Sequence, residues 1–248
     1  MSRSIVITGA SRGIGAAAAR LAAERGYEVC VVYRVDRPAA ESVVEEIERG
    51  GGTALAVAAD VSHDGAVRDL FRTVDSRLAP LAALVNNAGI LETQQRVQKI
   101  TADRLDRILA TNVRGPFLCA REAILRMSTR HGGAGGAIVN VSSVAARLGA
   151  AGEYVDYAAS KGALDSFTIG LAQEVAAEGI RVNAVRPGYI ETDIHADGGE
   201  PDRIERLAGS IPMRRGGRPE EVAEAILWLL SDEASYVAGT FLDVAGGR

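Results

Sequence analysis

The sequence predicts an α/β fold, a doubly wound parallel sheet with helices on both faces. Three observations predict it. Short apolar runs rich in Val, Ile, Leu and Ala recur along the 248 residues, each the length of a strand buried on both faces. Stretches of helical length separate them, the alternation that builds a parallel sheet through crossover helices. The first apolar run leads straight into a glycine-rich turn and then a helix, the unit that opens dinucleotide-binding sheets. With no repeat, linker or low-complexity stretch to divide it, the chain reads as one domain over residues 1–248.

Residues 4–8 form the first strand. The turn Gly9-Ala-Ser-Arg-Gly13-Ile-Gly15 follows, and the helix after it runs to about residue 25, where Gly26 ends it. Such a turn lets the backbone approach a pyrophosphate, while the helix amides and dipole stabilise its charge. Gly9, Ser11, Arg12, Gly13, Ile14 and Gly15 are therefore candidate contacts of a nicotinamide dinucleotide. Residues 28–33 are the second strand, and the position after it meets the adenosine ribose. An acidic residue there suits NAD and an arginine suits the 2′-phosphate of NADP. This chain has Arg34, and Arg12 adds a second guanidinium for charge-assisted bonds to that phosphate. Asp36 is the competing ribose ligand. NADP(H) is favoured, with NAD(H) as the alternative.

A helix over 38–49, with Pro38 in its first turn, breaks at Gly50-Gly-Gly52 before a third strand over 53–58. Asp60 and Val61 lie past that strand at the carboxyl edge, within reach of the adenine. A helix over 64–78 and a strand over 81–85 lead to Asn86-Asn-Ala-Gly89, where Asn87, Ala88 and Gly89 suit close approach to a cofactor. Residues 92–100 read as a polar loop. Thr101 caps a long helical run over 102–131 that contains Asn112, and Gly115-Pro116 is expected to bend it, because proline removes an i→i−4 bond. The fifth strand, 137–141, delivers Ser142 and Ser143 to the carboxyl edge. A helix to about residue 178 follows, and a sixth strand, 181–185, ends at Arg186-Pro187-Gly188. Residues 189–217 lack periodicity and read as a lid or binding loop. A helix over 219–230 and a strand over 240–244 close the chain.

Tyr157 and Lys161 sit one turn apart on one face of the helix after the fifth strand. The chain has six tyrosines, but its only lysines are Lys99 and Lys161, so a lysine at this spacing invites a chemical explanation. A nearby ammonium favours the phenolate, and is expected to draw Tyr157 from its usual ~10 toward a range where it exchanges a proton at neutral pH.

Composition narrows the function classes. Hydrophobic residues make up 47% and charged residues 24%, with a net charge of −4. No basic excess argues for nucleic acid or an anionic membrane as partner. Cys30 and Cys119 lie in apolar contexts and read as small buried residues of a reducing compartment. His63, His131 and His195 show no ligand spacing, so no metal is expected. No charged segment followed by a long apolar run and no membrane-length apolar window is seen, so no leader is expected and the expected location is the cytoplasm.

Taken together, Thr8-Gly-Ala-Ser-Arg-Gly-Ile-Gly15, Asn86-Asn-Ala-Gly89, Asn112, Ser143, Tyr157-x-x-x-Lys161 and Pro187-Gly-x-Ile-x-Thr192 closely resemble the short-chain dehydrogenase/reductase family. The resemblance covers nearly the whole chain and points to the glucose-dehydrogenase-like and 3-oxoacyl-carrier-protein-reductase-like branch. It implies a Rossmann fold and a hydride transfer between nicotinamide and a carbonyl or secondary alcohol. It also implies roles. Tyr157 is the general acid in reduction and the base in oxidation, and Lys161 lowers its pKa and holds the nicotinamide ribose. Ser143 bonds the substrate oxygen, Asn112 holds a water of the proton relay, and Thr192 meets the nicotinamide carboxamide. Pro187, Gly188 and Ile190 join the cofactor contacts. The family's habit implies a homotetramer built on the helices containing Asn112 and Tyr157.

Three departures stand out. Strand alternation is expected to point Ser142 and Ser143 to opposite faces, so only one faces the reaction; the resemblance implies Ser143, because the family's serine is followed by a small apolar pair, here Val144-Ala145. The run from Ser143 to Tyr157 is one residue longer than the family pattern, so the loop near Gly152-Glu153 is expected to bulge. The terminal strand reads Asp243-Val-Ala-Gly-Gly247 where the family has aspartate beside the glycine pair, which bears on subunit contacts. The alternative to an enzyme is an NADP-binding regulator or scaffold without turnover, against which the intact Tyr/Lys pair speaks. Sugar, acyl thioester and other ketones all remain open as substrate; Arg96, Glu153, His195 and Asp197 are available for polar contacts.

Overall fold

The computed structural model describes residues 2–248. Among them, seven parallel strands form one sheet in the order β3-β2-β1-β4-β5-β6-β7. The strands are β1 Arg3–Thr8, β2 Tyr27–Tyr33, β3 Ala54–Ala58, β4 Leu81–Asn86, β5 Gly136–Val141, β6 Ile180–Pro187 and β7 Phe241–Val244. From β1 the chain winds outward through α1 (Gly13–Glu24) and α2 (Arg37–Arg49) to β3. It then returns through α3 (Asp64–Arg77) to pair β4 on the other side of β1 and winds the opposite way. That reversal leaves a crevice at the carboxyl ends of β1 and β4, where open α/β sheets bind ligands.

The strand residues explain the layers. Ile5, Val6, Ile7, Val29, Cys30, Val31, Leu84, Val85, Ile138 and Val139 have no exposed surface; consecutive buried residues require cover on both faces. On one face lie α1, α2 and α10 (Pro219–Leu230), whose Ala16–Ala19, Val43, Ile47, Ile226 and Leu227 join Ile5 and Ile7. The alanines of α1 keep that helix close to both the sheet and α10. On the other face α3, α5 (Gly115–Met127) and α7 (Val155–Val175) pack Phe71, Met127, Leu171 and Val175 against Val6 and Ile138. Cys30 and Cys119 are free and buried, and burial pushes each thiol up to about 12. No helix among the described residues is long and apolar enough to cross a membrane.

The structure corrects the long helix expected over 102–131. Helix α4 (Ala102–Leu109) gives way to a π turn over Ala110–Arg114, and α5 begins at Gly115. Pro116 has no N–H to return to the carbonyl of residue 112, so the α ladder cannot run through this point. The turn widens instead, with the Gly115 N–H donating to Ala110 O, five residues back. Pro116 then falls in the first turn of α5, where its missing donor costs nothing. Asn112 lies on the widened turn.

The stretch after β6 contains two short helices, α8 (Ile194–Asp197) and α9 (Arg203–Leu207). Its ends are tied together: Glu191 N donates to Gly217 O and Gly217 N to Tyr189 O, both at 2.9 Å. After the short helix α6 (Ala145–Leu148), the loop before Tyr157 holds three left-handed residues, Gly149, Ala150 and Gly152, at φ 77°, 46° and 78°.

Candidate active site

A cleft of about 1790 Å³ follows the carboxyl edge of the sheet, from Arg34 and Asp60 at one end to Tyr157 and the α8–α9 segment at the other. The glycine turn lies in its middle. Thr8 Oγ1 accepts from the Asn87 and Ala88 amides at 3.0 Å, and Asn87 Nδ2 donates to the carbonyls of Thr8 and Gly9 at 2.9 Å. These bonds hold the β4 end against the turn, so the Asn87 side chain braces the cradle from behind. Gly9 has φ +64°, and a Cβ there would lie 2.9 Å from Ala88 Cα; on Gly15 it would lie 2.4 Å from Gly9 O. Only glycine fits either position. Arg12, extended at φ −156°, precedes the first amides of α1, which lack intrahelical acceptors and line the space an anion would fill.

The adenosine end is formed by Arg34, Asp36, Asp60 and Val61. Arg34 is exposed. Asp36, expected to compete for the ribose, caps α2 by accepting from Ala39 N at 3.0 Å. The Asp60 carboxylate accepts from Ser62 N at 2.9 Å and Ser62 Oγ at 2.6 Å. Burial acts to raise its pKa, but those bonds and the charges of His63 and Arg34 hold it below the usual value. Arg12 is turned the other way, its guanidinium paired with Asp197 and 3.8 Å from Asp193. Beside it, Thr192 lies against the glycine turn: a Cβ on Gly13 would come within 3.1 Å of Thr192 Cγ2. Pro187 and Ile190 are buried at the end of β6 and its continuation, and Gly188 packs so close to Ala245 that a Cβ would lie 2.9 Å from its Cα.

At the far end the structure brings Asn112, Ser143, Tyr157 and Lys161 together. Ser143 lies at the mouth of β5, accepts from Ala145 N at 3.1 Å, and its hydroxyl acts to lower the pKa of Tyr157. Lys161 is buried, donates from Nζ to Val141 O at 2.8 Å, and stands 5.5 Å from the centre of the Tyr157 ring. Asn112 clamps the strand end after β4: its Oδ1 accepts from Ile90 N at 2.8 Å, and its Nδ2 donates to Ile90 O at 3.0 Å and Ser160 Oγ at 3.1 Å. A Cβ on Gly89 would lie 3.5 Å from both Asn112 Oδ1 and Lys161 Nζ, so these groups meet at one point.

The electrostatics depart from the simple phenol–ammonium expectation. Burial pushes Tyr157 up to about 12, against the effect of its bond with Ser143. Burial also brings Lys161 down to about 8, opposed by Asp165. Removing water disfavours phenolate and ammonium alike, so in the free protein the lysine does not draw the tyrosine toward neutrality.

Several residues of the site carry no local sequence signal. Arg104 of α4 is buried and forks onto Asp156 at 2.6 and 3.2 Å, and also reaches Thr93 O. Asp156 in turn accepts from Tyr157 N at 3.0 Å. Arg203 of α9 is buried between Glu153 and Glu200 and lies over the rings of Tyr154 and Tyr189 at 5.1 and 5.4 Å. It ties α9 to the loop before α7. His195 Nε2 donates to Ile190 O at 2.9 Å, and burial lowers its pKa.

Comparisons with known proteins agree with this geometry. The family model described as "Enoyl-(Acyl carrier protein) reductase" matches residues 9–248. The chain is 59% identical over 243 residues to the uncharacterized oxidoreductase YgfF of Escherichia coli (strain K12), covering 98% of each. It is 36% identical over 247 residues to the 3-oxoacyl-[acyl-carrier-protein] reductase FabG of Staphylococcus aureus (strain Mu50 / ATCC 700699), covering 100% of this chain and 98% of the other. A crystal structure of a dehydrogenase/reductase from Sinorhizobium meliloti 1021 matches with a TM-score of 0.91 and 35% identity, over 100% of this chain and 95% of that one. A glycine cradle at a sheet reversal, a tyrosine and lysine beside its end, and relatives matched along their whole length lead to one conclusion: this chain belongs to the short-chain dehydrogenase/reductase family and is an oxidoreductase of carbonyls and alcohols with a nicotinamide cofactor.

Proposed function

We propose that the protein is an NADP(H)-dependent reductase or dehydrogenase in which Tyr157 is the general acid or base. The observation that carries this reading is the convergence of Tyr157, Ser143, Lys161 and Asn112 on a cleft that is also lined by the glycine turn. The cofactor, when bound, supplies or accepts the hydride. In reduction the Ser143 and Tyr157 hydroxyls bond the substrate oxygen as charge develops on it, and Tyr157 gives up its proton. Lys161 holds the ribose and stabilises the phenolate. The Asn112 carbonyl lacks its ordinary i+4 donor because residue 116 is proline. It is left to hold a water that reloads the lysine.

Preference for NADP is supported by Arg34, exposed where the 2′-phosphate would lie, and by the engagement of Asp36 as a helix cap. Residues 1–248 act as a single domain in the cytoplasm, with 189–217 enclosing a small-molecule carbonyl or alcohol. Phe117, Leu125 and Ile169 expose apolar surface on α5 and α7, and Phe117 stacks on Phe167 at 3.8 Å; that face is the proposed tetramer contact. The test is a panel of sugars, acyl thioesters and simple ketones, followed by NADPH oxidation. Turnover of any member supports the enzyme. Tight NADPH binding with no turnover across the panel favours a cofactor-binding regulator.

A further inference from the structure

Of the adjacent serines, Ser143 opens on the cleft and Ser142 turns into a buried cluster that hydride transfer does not use. Ser142 Oγ donates to Asp165 Oδ1 at 2.6 Å and lies 3.3 Å from Lys161 O. Asp165 Oδ2 accepts from Arg186 Nε at 3.0 Å and Nη2 at 2.7 Å. Arg186, on β6, lies 3.9 Å over the Phe241 ring and 3.8 Å from Asp243 of β7, and Asp243 pairs with Arg147 at 2.9 Å. A chain of polar groups thus runs from α7 across β5 and β6 to the edge strand.

Asp165 is one turn beyond Lys161 on the same face of α7, and both are buried. The two side chains grip consecutive residues at the end of β5, Lys161 bonding Val141 O and Asp165 bonding Ser142 just past it. Two explanations compete for the carboxylate. A forked arginine pair can be a structural clip and nothing more. The position of Asp165 relative to the ammonium says more than that. The other groups that meet Lys161 are the Tyr157 phenol on its own helix, Asn112 from the π turn, and the Val141 carbonyl of β5, none of them charged at neutral pH. Burial favours loss of the lysine proton, and Asp165 opposes that loss. Arg186 faces Asp165 from β6 and partly offsets its charge.

We propose that Asp165 is a positioning residue for the proton relay. Held by Ser142 and Arg186, it fixes the turn of α7 that carries Lys161 against β5, and its charge keeps that lysine an ammonium. The proposal rests on the role given to Lys161 above, but its test does not need turnover.

Because Lys99 and Lys161 are the only lysines, carbon-13 labelling of the lysine ε carbons gives two NMR signals in the whole protein, and Lys99→Arg assigns them. The proposal predicts that Asp165→Asn lowers the Lys161 titration midpoint by about one pH unit, a tenfold change in proton affinity, and leaves Lys99 unmoved. Arg186→Gln removes the offsetting cation and moves the midpoint upward. A folded Asp165→Asn variant whose Lys161 titrates as in the parent protein would reduce the cluster to a structural clip. Should Asp165→Asn fail to fold, Arg186→Gln decides alone, and an unchanged or lowered midpoint overturns the proposal. Full turnover by a Tyr157→Phe variant would instead remove the functional reading while leaving these titrations as they are.

Discussion

Tyr157 and Lys161 show how burial and chemistry pull against each other in one site. The lysine is brought down to about 8 by burial, so its ammonium is present below that pH and lost above it. If that ammonium is required, kcat/KM for reduction falls as pH rises through about 8, since this parameter reports the free enzyme. A flat profile from pH 7 to ~9 would contradict the assignment. At the other end of the cleft, Arg34 is exposed while Asp36 caps α2. Arg34→Ala is expected to weaken NADPH binding at least tenfold, about 1.4 kcal/mol, with NADH binding little changed; a fluorescence titration with each cofactor reads both. These residues were legible in the sequence because each follows a strand end or a helical spacing. The capping of α2 by Asp36 was not legible, because capping and ribose binding ask for the same residue type at nearly the same place. The environment of Tyr157 was not legible at all, since desolvation depends on walls contributed by distant segments.

The element that separates this site from an ordinary helix pair is the π turn at Ala110–Arg114. Pro116→Ala restores the missing N–H and lets the α ladder close on Asn112. The expected outcome is unchanged or raised thermal stability with kcat reduced by about tenfold or more, because the Asn112 carbonyl is then satisfied within the helix. Unaltered kcat would remove that carbonyl from the relay. Sequence reading foresaw a bend at Gly115-Pro116 but not its form, because periodicity reports that a helix is interrupted without saying which hydrogen-bond ring replaces the lost one. The Arg104–Asp156 pair, also hidden from local pattern, joins α4 to the first turn of α7 next to Tyr157. Both partners are buried. Arg104→Met alone leaves a buried carboxylate unpaired and is expected to cost roughly 3–5 kcal/mol in urea unfolding, while the double variant with Asp156→Leu recovers most of it.

On the scale of the whole molecule, the doubly wound parallel sheet was legible because seven apolar runs alternate with helices and the first carries the glycine turn. The bounds of the helix over Pro219–Leu230 were read directly. The stretch over 189–217 was legible only as an absence of periodicity. Its order comes from contacts far apart in sequence, Arg203 with Glu153 and Arg12 with Asp197, which no window along the chain contains. Those pairs join that stretch to the glycine turn on one side and to the loop before α7 on the other. The sheet then needs only to hold one reacting pair at its carboxyl edge, and Tyr157 is the group on which the account depends.

The measurement that tests this most directly is turnover and NADPH binding of Tyr157→Phe, made side by side with the parent protein on whichever carbonyl it reduces best. The account predicts NADPH affinity within about threefold of the parent and turnover reduced by at least ~100-fold, the usual contribution of a positioned acid. Turnover within a few-fold of the parent would contradict it, and would require the proton to come from another group in the cleft.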